Sequence, residues 1–405
     1  MHYSGEYFDV AIAGAGPAGT SAAIHLANGG ARVLLVEQKT FPRAKLCGEF
    51  ISPECVYHFE RLGVTEKMIS SGAATLTRTI FYARNGESVA VPSEWFGISS
   101  LALGLSRAEM DNNLLERAKQ AGVVVWEDTV VSDLLLSERQ VRGIKLTKAD
   151  QTFNCSALVT IDATGRTRSL ARRLDPMSFH LSPTRRLVAF KTHLENTRVA
   201  EGACEIYFYP GGYGGLSSIE NGLSNLCFIA DAKDVRRCES NPTRVLQNIV
   251  RKNARAAHTL ARARTHTDWL AVSLDHFGRR TPVPADGLMT IGDAAAFIDP
   301  FTGSGMLMAL ENGEVAAHSI ISHLAALRRG DSFKPLAHDY RKRYSRKFNS
   351  RLRISGLLRR AAFIPEFARA AIRVTSASDR VRRRLARATR GGSAAGMANE
   401  KTRHK

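Results

Sequence analysis

Three glycines near the start of the chain restrict what this region can fold into. Residues 8–13 form a short apolar run typical of a buried strand, and Gly14, Gly16 and Gly19 follow it. In such a unit the first glycine permits a tight turn, the second lets the backbone approach a pyrophosphate, and the third lets helix and strand pack closely. The segment from Pro17 to about Asn28 is predicted to be a helix whose N-terminus favours a bound anion.

A second strand and an acidic residue complete this unit. Residues 32–36 are predicted to be the strand, and Glu37 follows it, eighteen residues after Gly19. A carboxylate at this place hydrogen-bonds the ribose hydroxyls of an adenine dinucleotide. NAD, NADP and FAD share the adenosine diphosphate half, so the glycines do not choose among them, and Glu37 argues only against a 2′-phosphate.

Basic residues are concentrated near the C-terminus. The chain contains 57 Lys and Arg against 38 Asp and Glu, a formal net charge of +19. Residues 334–405 hold 21 of the basic and 4 of the acidic residues, which leaves 36 and 34 elsewhere. Because apolar patches interleave with these arginines, we expect the tail either to lie on an anionic membrane surface or to pack on the protein as a solvated helix. No base-reading motif accompanies it, which argues against a nucleic-acid partner.

The cysteines and the hydropathy pattern indicate a cytoplasmic protein that is at most peripheral at a membrane. Six cysteines occur without a C-x-x-C pair or a zinc spacing, as expected in a reducing compartment. No run of about 18 apolar residues indicates a transmembrane helix. The first residues lack the basic region of a signal peptide.

The remaining pattern predicts an α/β fold with two interleaved domains, since 405 residues suffice for two. Residues 1–72, 105–180 and 270–330 are assigned to a Rossmann-like nucleotide-binding domain, and residues 73–104 and 181–269 to a β-rich substrate domain. Residues 331–405 form a basic helical tail whose end is predicted to be disordered. In detail, Ser106 and Glu109 predict a reciprocal capping box. Residues 242–264 are predicted to be one helix.

Two later segments resemble known flavoenzyme fingerprints. Residues 162–165 read Asp-Ala-Thr-Gly and residues 292–293 read Gly-Asp. Together with the opening glycines and Glu37, they resemble the three fingerprints of FAD enzymes with the para-hydroxybenzoate hydroxylase fold. Residues 42–49, 209–216 and 299–305 extend the likeness, and the chain from about residue 8 to 330 resembles the geranylgeranyl reductase family, flavoenzymes that saturate isoprenoid double bonds.

The resemblance implies FAD as cofactor and a set of residues that hold it. Arg107 would reach the FAD phosphates, the backbone at Val131 would meet the adenine, and Asp293 would bind ribityl or ribose hydroxyls. The start of the long helix after residue 303 would present N–H groups to the flavin pyrimidine edge. The full implied set is Gly14, Gly16, Ala18, Gly19, Glu37, Arg43, Cys47, Gly48, Arg107, Val131, Asp162, Gly165, Asp293, Pro300, Gly303, Gly305 and Met306.

Several of these residues also have a purely structural interpretation. Asp162 could support the fold alone. Cys47 is the catalytic candidate, because the family places its loop beside the flavin, although lone cysteines often act as small buried hydrophobes. Tyr207, Tyr209 and Tyr213 are candidates for the wall of the substrate pocket, or they could pack the sheet.

The leading functional hypothesis is reduction of C=C bonds in an apolar, polyprenyl or polyketide-like substrate by hydride from reduced FAD. One alternative is an FAD-dependent monooxygenase of an aromatic or lipid-like substrate, and another is a membrane-surface electron carrier to quinone. Ala296 stands where many aromatic hydroxylases have His, and a Trp-x-Trp-x-Ile-Pro segment typical of flavin halogenases is absent. No second Gly-x-Gly-x-x-Gly occurs, so the electron donor, NAD(P)H or a reduced protein carrier, is expected to bind transiently.

Overall fold

A computed structural model describes residues 7–96, 101–174, 186–274, 277–362, 365–376 and 378–388. The strands of these residues are, in chain order, β1 Tyr7–Ala13, β2 Val33–Val36, β3 Phe50–Ile51, β4 Ala74–Leu76, β5 Arg78–Tyr82, β6 Ser88–Pro92, β7 Ala102–Gly104, β8 Val124–Trp126, β9 Val130–Ser137, β10 Gln140–Lys148, β11 Gln151–Asp162, β12 Leu187–Glu195, β13 Ala203–Tyr209, β14 Gly212–Ser218, β15 Ser224–Asp231, β16 Arg264–Thr265, β17 Leu270–Leu274, β18 Gly278–Arg279, β19 Leu288–Thr290 and β20 Ala296–Phe297.

The α-helices lie between and after these strands. They are α1 Pro17–Asn28, α2 Pro53–Leu62, α3 Thr65–Ser70, α4 Arg107–Gln120, α5 Ala171–Leu174, α6 Ala232–Arg237, α7 Pro242–Asn248, α8 Ala254–Thr259, α9 Gly305–Arg328, α10 Lys334–Ala362, α11 Pro365–Ser376 and α12 Asp379–Ala388. None of these helices is both long and apolar enough to cross a membrane.

The first large sheet contains the opening strand. Its order is β8-β2-β1-β11-β10-β9, with β19 beside β11. β1 pairs in parallel with β2 and β11, whereas β9, β10 and β11 form an antiparallel meander. Residues 8–13 and 33–36 are buried throughout, as expected of parallel strands covered on both faces. The predicted α/β fold class is confirmed.

Helices α1 and α9 pack closely in the core beside this sheet. A Cβ on Gly313 of α9 would lie 2.5 Å from the carbonyl oxygen of Ala18 in α1. The Ser21 hydroxyl donates to the Leu310 carbonyl oxygen at 2.9 Å. Small residues on both helices therefore permit a backbone approach that fixes the N-terminal end of α1 relative to α9.

The second large sheet has the order β16-β12-β15-β14-β13-β5-β6, with β17 beside β12. One face packs on α6, α7 and α8 through Val235, Val245 and Ala256. The opposite face meets Leu46 of the loop over residues 45–49, Phe297 of β20 and Phe301 of the turn before α9. The two sheets draw on the residue ranges predicted for two interleaved domains, except that β17 of the second sheet falls in the range 270–330 assigned to the nucleotide-binding domain. The bounds of those domains stay a prediction.

The predicted single helix over residues 242–264 is wrong. This segment forms α7, a 3₁₀ turn over Val250–Lys252, and α8. Asn253 interrupts the helix because its side chain has two other tasks. Its Oδ1 accepts from the N–H groups that open α8, and its Nδ2 donates to the carbonyl oxygens of Tyr82, Ala83 and Phe208 at 3.0–3.1 Å.

The predicted capping box at α4 is correct in one half only. The Ser106 hydroxyl accepts from the Glu109 N–H at 3.2 Å, as expected of an N-cap residue. The Ser106 N–H, however, donates to Glu220 at 2.9 Å rather than to Glu109. Glu220 lies between β14 and β15, so a residue of the second sheet replaces the local partner.

The C-terminal tail begins as part of the fold. Tyr340, Tyr344 and Phe348 of α10 are buried in the core around α1 and α9. Ile372 of α11 is buried against the second sheet, and Arg373 pairs with Glu87 at 2.8 Å in the turn between β5 and β6. Helix α10 therefore packs beside the first sheet and α11 on the second sheet, and the membrane-surface alternative stays a prediction. The predicted disorder at the chain end falls on residues 389–405, outside the described residues.

An ion cluster between α2 and α9 gives a pH-dependent prediction. Burial raises the pKa of Glu314, but the hydrogen bond from His58 and the charge of Arg61 lower it to about 2 from its ordinary 4.5. A lowered pKa stabilises the protein above pH 4.5, and that contribution is lost as the pH falls toward 2. Glu314→Gln is therefore expected to lower the free energy of unfolding by about 2 kcal/mol at pH 7.

Urea unfolding between pH 2.5 and pH 7 measures this effect. The difference between the wild type and Glu314→Gln should narrow below pH 4.5. Glu60→Gln, at an exposed position on α2, is the control and should change stability by no more than about 0.5 kcal/mol. A difference that stays constant with pH would contradict the assignment.

Candidate active site

The turn after β1 is shaped by contacts that require glycine. A Cβ on Gly14 would lie 2.5 Å from the Ala163 carbonyl oxygen, and one on Gly19 would lie 1.9 Å from the Gly14 carbonyl oxygen. Gly16 differs, because beyond its chain neighbours no described atom lies within 4 Å of its Cβ position. No described side chain caps the N-terminus of α1, in which Ala18 is the second residue. Open space and helix N–H groups therefore meet at Gly16, which suits a pyrophosphate.

Glu37 is fixed at the end of β2 by backbone donors. Its Oε2 accepts from the Ala15 N–H at 3.1 Å, and its Oε1 accepts from the Lys39 N–H at 3.2 Å. The Thr129 N–H donates to the Glu37 carbonyl oxygen at 3.0 Å, which brings the start of β9, and with it Val131, close to this carboxylate. The predicted ribose and adenine positions thus lie side by side.

A buried ion network joins three of the predicted cofactor residues, Glu37, Arg43 and Arg107. Arg107 donates to both carboxylate oxygens of Asp111 at 2.8 and 2.7 Å. Arg43 donates to Asp111 at 3.2 Å and to Glu37 at 3.3 Å. Burial acts to lower the pKa of Arg107, but Asp111 and a contact with Cys47 raise it above its ordinary value. The guanidinium therefore stays charged where FAD phosphates are expected.

Asp111 is not among the residues predicted from the sequence. Its side chain is 0% exposed in the structure. The available signal was its position four residues after Arg107 on a predicted helix, a spacing at which opposite charges pair. Its second partner, Arg43, lies 68 residues away in the chain and could not be found from spacing.

The Cys47 loop, residues 45–49, lies between the two sheets. Cys47 is half-buried, and the Glu49 N–H donates to its Sγ at 3.4 Å. The Asn225 side chain of β15 donates to the Cys47 carbonyl oxygen at 3.1 Å. Gly48 has no described atom within 4 Å of its Cβ position beyond its neighbours, so the loop is open on that side.

The Asp162 carboxylate shapes the loop that follows β11. Its Oδ1 accepts from the Thr164 N–H at 3.0 Å, and its Oδ2 accepts from the N–H groups of Leu170 and Ala171 at 3.1 and 2.9 Å. The side chain is 0% exposed. These contacts match the structural interpretation of Asp162, so any part it takes in cofactor binding would be through the loop that it holds.

Lys45 lies close to both Asp293 and Gly165. Burial raises the pKa of Asp293, while the charge of Lys45 opposes that shift. Burial also lowers the pKa of Lys45, although the residue keeps access to solvent. A Cβ on Gly165 would lie 3.9 Å from the Lys45 Nζ. Within the described residues no group hydrogen-bonds the Asp293 carboxylate, which leaves it suited to a ligand hydroxyl.

The start of α9 resembles the start of α1. Pro300–Thr302 forms a 3₁₀ turn that ends at Gly303, whose φ of 59° lies in the left-handed region. Helix α9 then begins at Gly305 and Met306, and no described side chain caps it. No described atom beyond the neighbours lies within 4 Å of the Gly305 Cβ position. A second helix N-terminus thus faces open space, as needed for the flavin pyrimidine edge.

An aromatic cluster, Phe81, Phe208, Tyr213 and Phe301, lies between the second sheet and this turn. The Phe301 ring centre lies 5.4 Å from that of Tyr213, 5.6 Å from that of Phe208 and 6.2 Å from that of Phe81. The Tyr213 hydroxyl donates to Asp299, directly before the turn. We call this cluster the apolar wall; it packs the second sheet against the turn before α9.

The prediction that three tyrosines line one pocket is wrong for Tyr207 and Tyr209. Side chains alternate along β13, so both tyrosines face α6, α7 and α8 while Phe208 faces the opposite way. The Tyr207 hydroxyl donates to Glu205 at 2.7 Å, and the Tyr209 hydroxyl donates to the Ile229 carbonyl oxygen at 3.0 Å. Only Tyr213, paired across the strands with Phe208, lies on the wall.

These features fit FAD. Its pyrophosphate, its hydroxyls and its flavin edge are matched by two helix N-termini that no described side chain caps, by the buried Arg107 and by the Asp293 carboxylate, which no described group hydrogen-bonds. A family comparison matches residues 7–349 to the family described as FAD binding domain. The chain belongs to this family. It is an FAD-dependent oxidoreductase, and FAD as the predicted cofactor is confirmed.

Two relatives of this member of the family are reductases by name. A digeranylgeranylglycerophospholipid reductase from Methanopyrus kandleri is 29% identical over 77% of this chain and 78% of its own length. A menaquinone reductase from Mycolicibacterium smegmatis is 28% identical over 78% of this chain and 76% of its own length.

Two solved structures share the fold of this family member. A flavin-dependent brominase superposes with a TM-score of 0.78 at 21% identity and covers 98% of this chain and 100% of its own. A geranylgeranyl bacteriochlorophyll reductase-like protein from Thermoplasma acidophilum has a TM-score of 0.75 at 19% identity over 92% of both chains. At these identities the structures show the fold alone. The reductase relatives confirm the predicted resemblance to the geranylgeranyl reductase family.

Proposed function

We propose that this protein reduces C=C bonds of an apolar, polyprenyl or polyketide-like substrate. The observation that carries the proposal is the aromatic cluster, which presents an apolar wall beside the expected flavin. A wall built from Phe208, Tyr213 and Phe301 suits a hydrocarbon chain and offers little to a charged substrate. The names of the two reductase relatives support reduction of a lipophilic compound over oxygenation.

Each predicted cofactor residue would have one task in this proposal. The α1 N-terminus at Gly16 and the Arg107 guanidinium would hold the pyrophosphate, and Glu37 would hold the adenosine ribose. Asp293 would bind ribityl or ribose hydroxyls, and the α9 N-terminus would stabilise negative charge on the flavin. When bound, FAD supplies the hydride, and the protein supplies alignment and an apolar environment.

Cys47 is the catalytic candidate in this proposal. Its loop connects the arginine that would hold the phosphates with the sheet that carries the apolar wall. The thiol contacts Arg107 and remains half-buried. It would therefore lie near the reacting carbon atoms, where the second carbon of the double bond must receive a proton. NAD(P)H or a reduced protein carrier would reduce the cofactor in a transient complex.

A single-turnover experiment without oxygen tests the proposal. The purified FAD-loaded protein is reduced, then mixed with a geranylgeranyl glycerolipid or with menaquinone in vesicles, and the lipid is analysed by mass spectrometry. We expect a gain of two hydrogens per reacted double bond. If the lipid is unchanged without O₂ but gains one oxygen atom in a parallel run with O₂, the protein is the monooxygenase instead. A quinol with an unchanged side chain would establish the electron carrier.

The same assay tests whether the basic tail binds membranes. Exposed basic side chains of the tail, Arg383 and Arg384 of α12 among them, are suited to anionic lipid. Turnover should be faster with vesicles that contain anionic lipid than with neutral vesicles, and added salt should remove the difference. Equal turnover on both kinds of vesicle would show that anionic lipid does not attract the protein.

A further inference from the structure

We infer that Glu49 is a positioning residue that fastens the Cys47 loop to the second sheet. The inference rests on the proposed placement of FAD beside this loop, but not on the identity of the substrate. Glu49 is 0% exposed and lies two residues after Cys47. Its carboxylate is the point at which the loop, helix α4 and strand β12 meet.

Three donors from two elements share this carboxylate. The Arg107 N–H, the first of α4, donates to Oε1 at 2.7 Å. Lys191 of β12 donates to the same oxygen, and the His193 Nε2 hydrogen-bonds Oε2 at 2.7 Å. A buried carboxylate with this many partners holds its neighbours in one arrangement, because a lost partner leaves a buried charge unpaired.

The second sheet also holds the loop directly. The Lys191 Nζ donates to the Lys45 carbonyl oxygen at 3.3 Å, and the Asn225 Nδ2 donates to the Cys47 carbonyl oxygen at 3.1 Å. Lys191 and His193 follow Ala189 at alternate positions of β12, so all three face the same side of the sheet. The apolar wall and the groups that hold the Cys47 loop are therefore one continuous surface.

The backbone at Glu49 supports a constraint of this kind. Its φ of 52° lies in the left-handed region, which residues other than Gly and Asn seldom adopt. Such a conformation persists where the surrounding contacts hold it, and here those contacts are the bonds to its carboxylate. Release of the carboxylate should let the loop relax away from the sheet.

A matched pair of variants separates positioning from stability. Glu205, on the opposite face of the same sheet, is also 0% exposed and accepts from Arg255 at 2.6 Å and from Tyr207 at 2.7 Å. Glu49→Gln and Glu205→Gln both weaken a buried ion pair, so both should lower the melting temperature. Only Glu49→Gln should change the Cys47 loop.

Two measurements report on the loop without any substrate. The first is the rate at which iodoacetamide alkylates Cys47 in the FAD-free full chain, followed by peptide mass spectrometry. The second is the FAD dissociation constant from flavin fluorescence. Because a hydrogen bond to a charged group is lost, we expect Glu49→Gln to alkylate roughly tenfold faster and to bind FAD roughly tenfold more weakly. Glu205→Gln should match the wild type in both.

Two further variants test whether the change depends on the Glu49–Lys191 ion pair and on the charge of Glu49. Lys191→Met should reproduce the faster alkylation, and Glu49→Asp, which restores the charge, should return the rate part of the way to the wild type. Unchanged Cys47 reactivity and FAD affinity in Glu49→Gln and Lys191→Met would overturn the inference. Failure of the anaerobic lipid assay would not affect these readouts, so the two proposals fail separately.

Discussion

Gly16→Val is expected to abolish FAD binding while the protein still folds. The Gly16 backbone has φ −76° and ψ −179°, an extended conformation that valine adopts readily. Its Cβ position is open, so the protein itself can accept the side chain. The pyrophosphate cannot, because valine would fill the space where the backbone must approach it. We expect the dissociation constant for FAD to rise by at least about 100-fold, or about 2.7 kcal/mol.

Isothermal titration of the apo-protein with FAD measures the loss, and thermal unfolding checks the fold. Gly356→Val is the control, since Gly356 on α10 also has open space at its Cβ position but lies outside the predicted FAD site. Gly19→Val should instead disrupt folding, because its Cβ would lie 1.9 Å from a carbonyl oxygen. Tight FAD binding by Gly16→Val would show that the pyrophosphate does not lie at this turn.

Asp111→Ala is expected to cause the largest loss of stability. Asp111 is fully buried and neutralises Arg107 and Arg43, which are themselves nearly buried. Removal of its carboxylate leaves two guanidinium groups without their shared partner, and breaking a buried pair in this way costs about 3–5 kcal/mol. Urea unfolding of the FAD-free protein measures the effect.

An exposed pair of the same spacing is the control for this prediction. Asp339 and Arg343 on α10 lie 2.8 Å apart, with side chains 23% and 47% exposed. Asp339→Ala should cost at most about 1 kcal/mol, as exposed pairs do. If Arg107→Met is added to Asp111→Ala, part of the lost stability should return, because one unpaired charge is removed. Equal losses of stability for Asp111→Ala and Asp339→Ala would show that the buried network stabilises the protein no more than an exposed ion pair.

Features that depend on neighbouring residues could be predicted from the sequence. Helix α1 starts and ends where expected, since Pro17 begins it and Gly29 directly follows its last residue. Strands β1 and β2 likewise form at the predicted residues to within one position at either end. The fold class follows from these local units together with the resemblance to flavoenzymes.

Features that depend on distant residues could not be predicted in this way. The helix expected over residues 242–264 is interrupted by Asn253. Its side-chain amide donates hydrogen bonds to carbonyl oxygens of residues as distant in the chain as Tyr82. The partner of the Ser106 N–H is Glu220, 114 residues further along the chain. Glu49 could not be recognised from the sequence, because its partner Lys191 lies 142 residues away in the chain. Strand alternation did place Tyr207 and Tyr209 on one face, but only the packing of α6 to α8 reveals which face that is.

The position of β1 inside the first sheet has a consequence for synthesis on the ribosome. β1 and β2 leave the ribosome early, but the neighbour on the other side of β1 is β11, and β11 in turn pairs with β19. Sheets built from strands so far apart in the chain fold slowly, because their contacts form only after long loops close. In the growing chain β1 therefore has an unpaired edge until β11 emerges. β11 in turn has an unpaired edge, while the second sheet is being made, until β19 emerges. We expect this nascent chain to depend on chaperones until β19 has emerged.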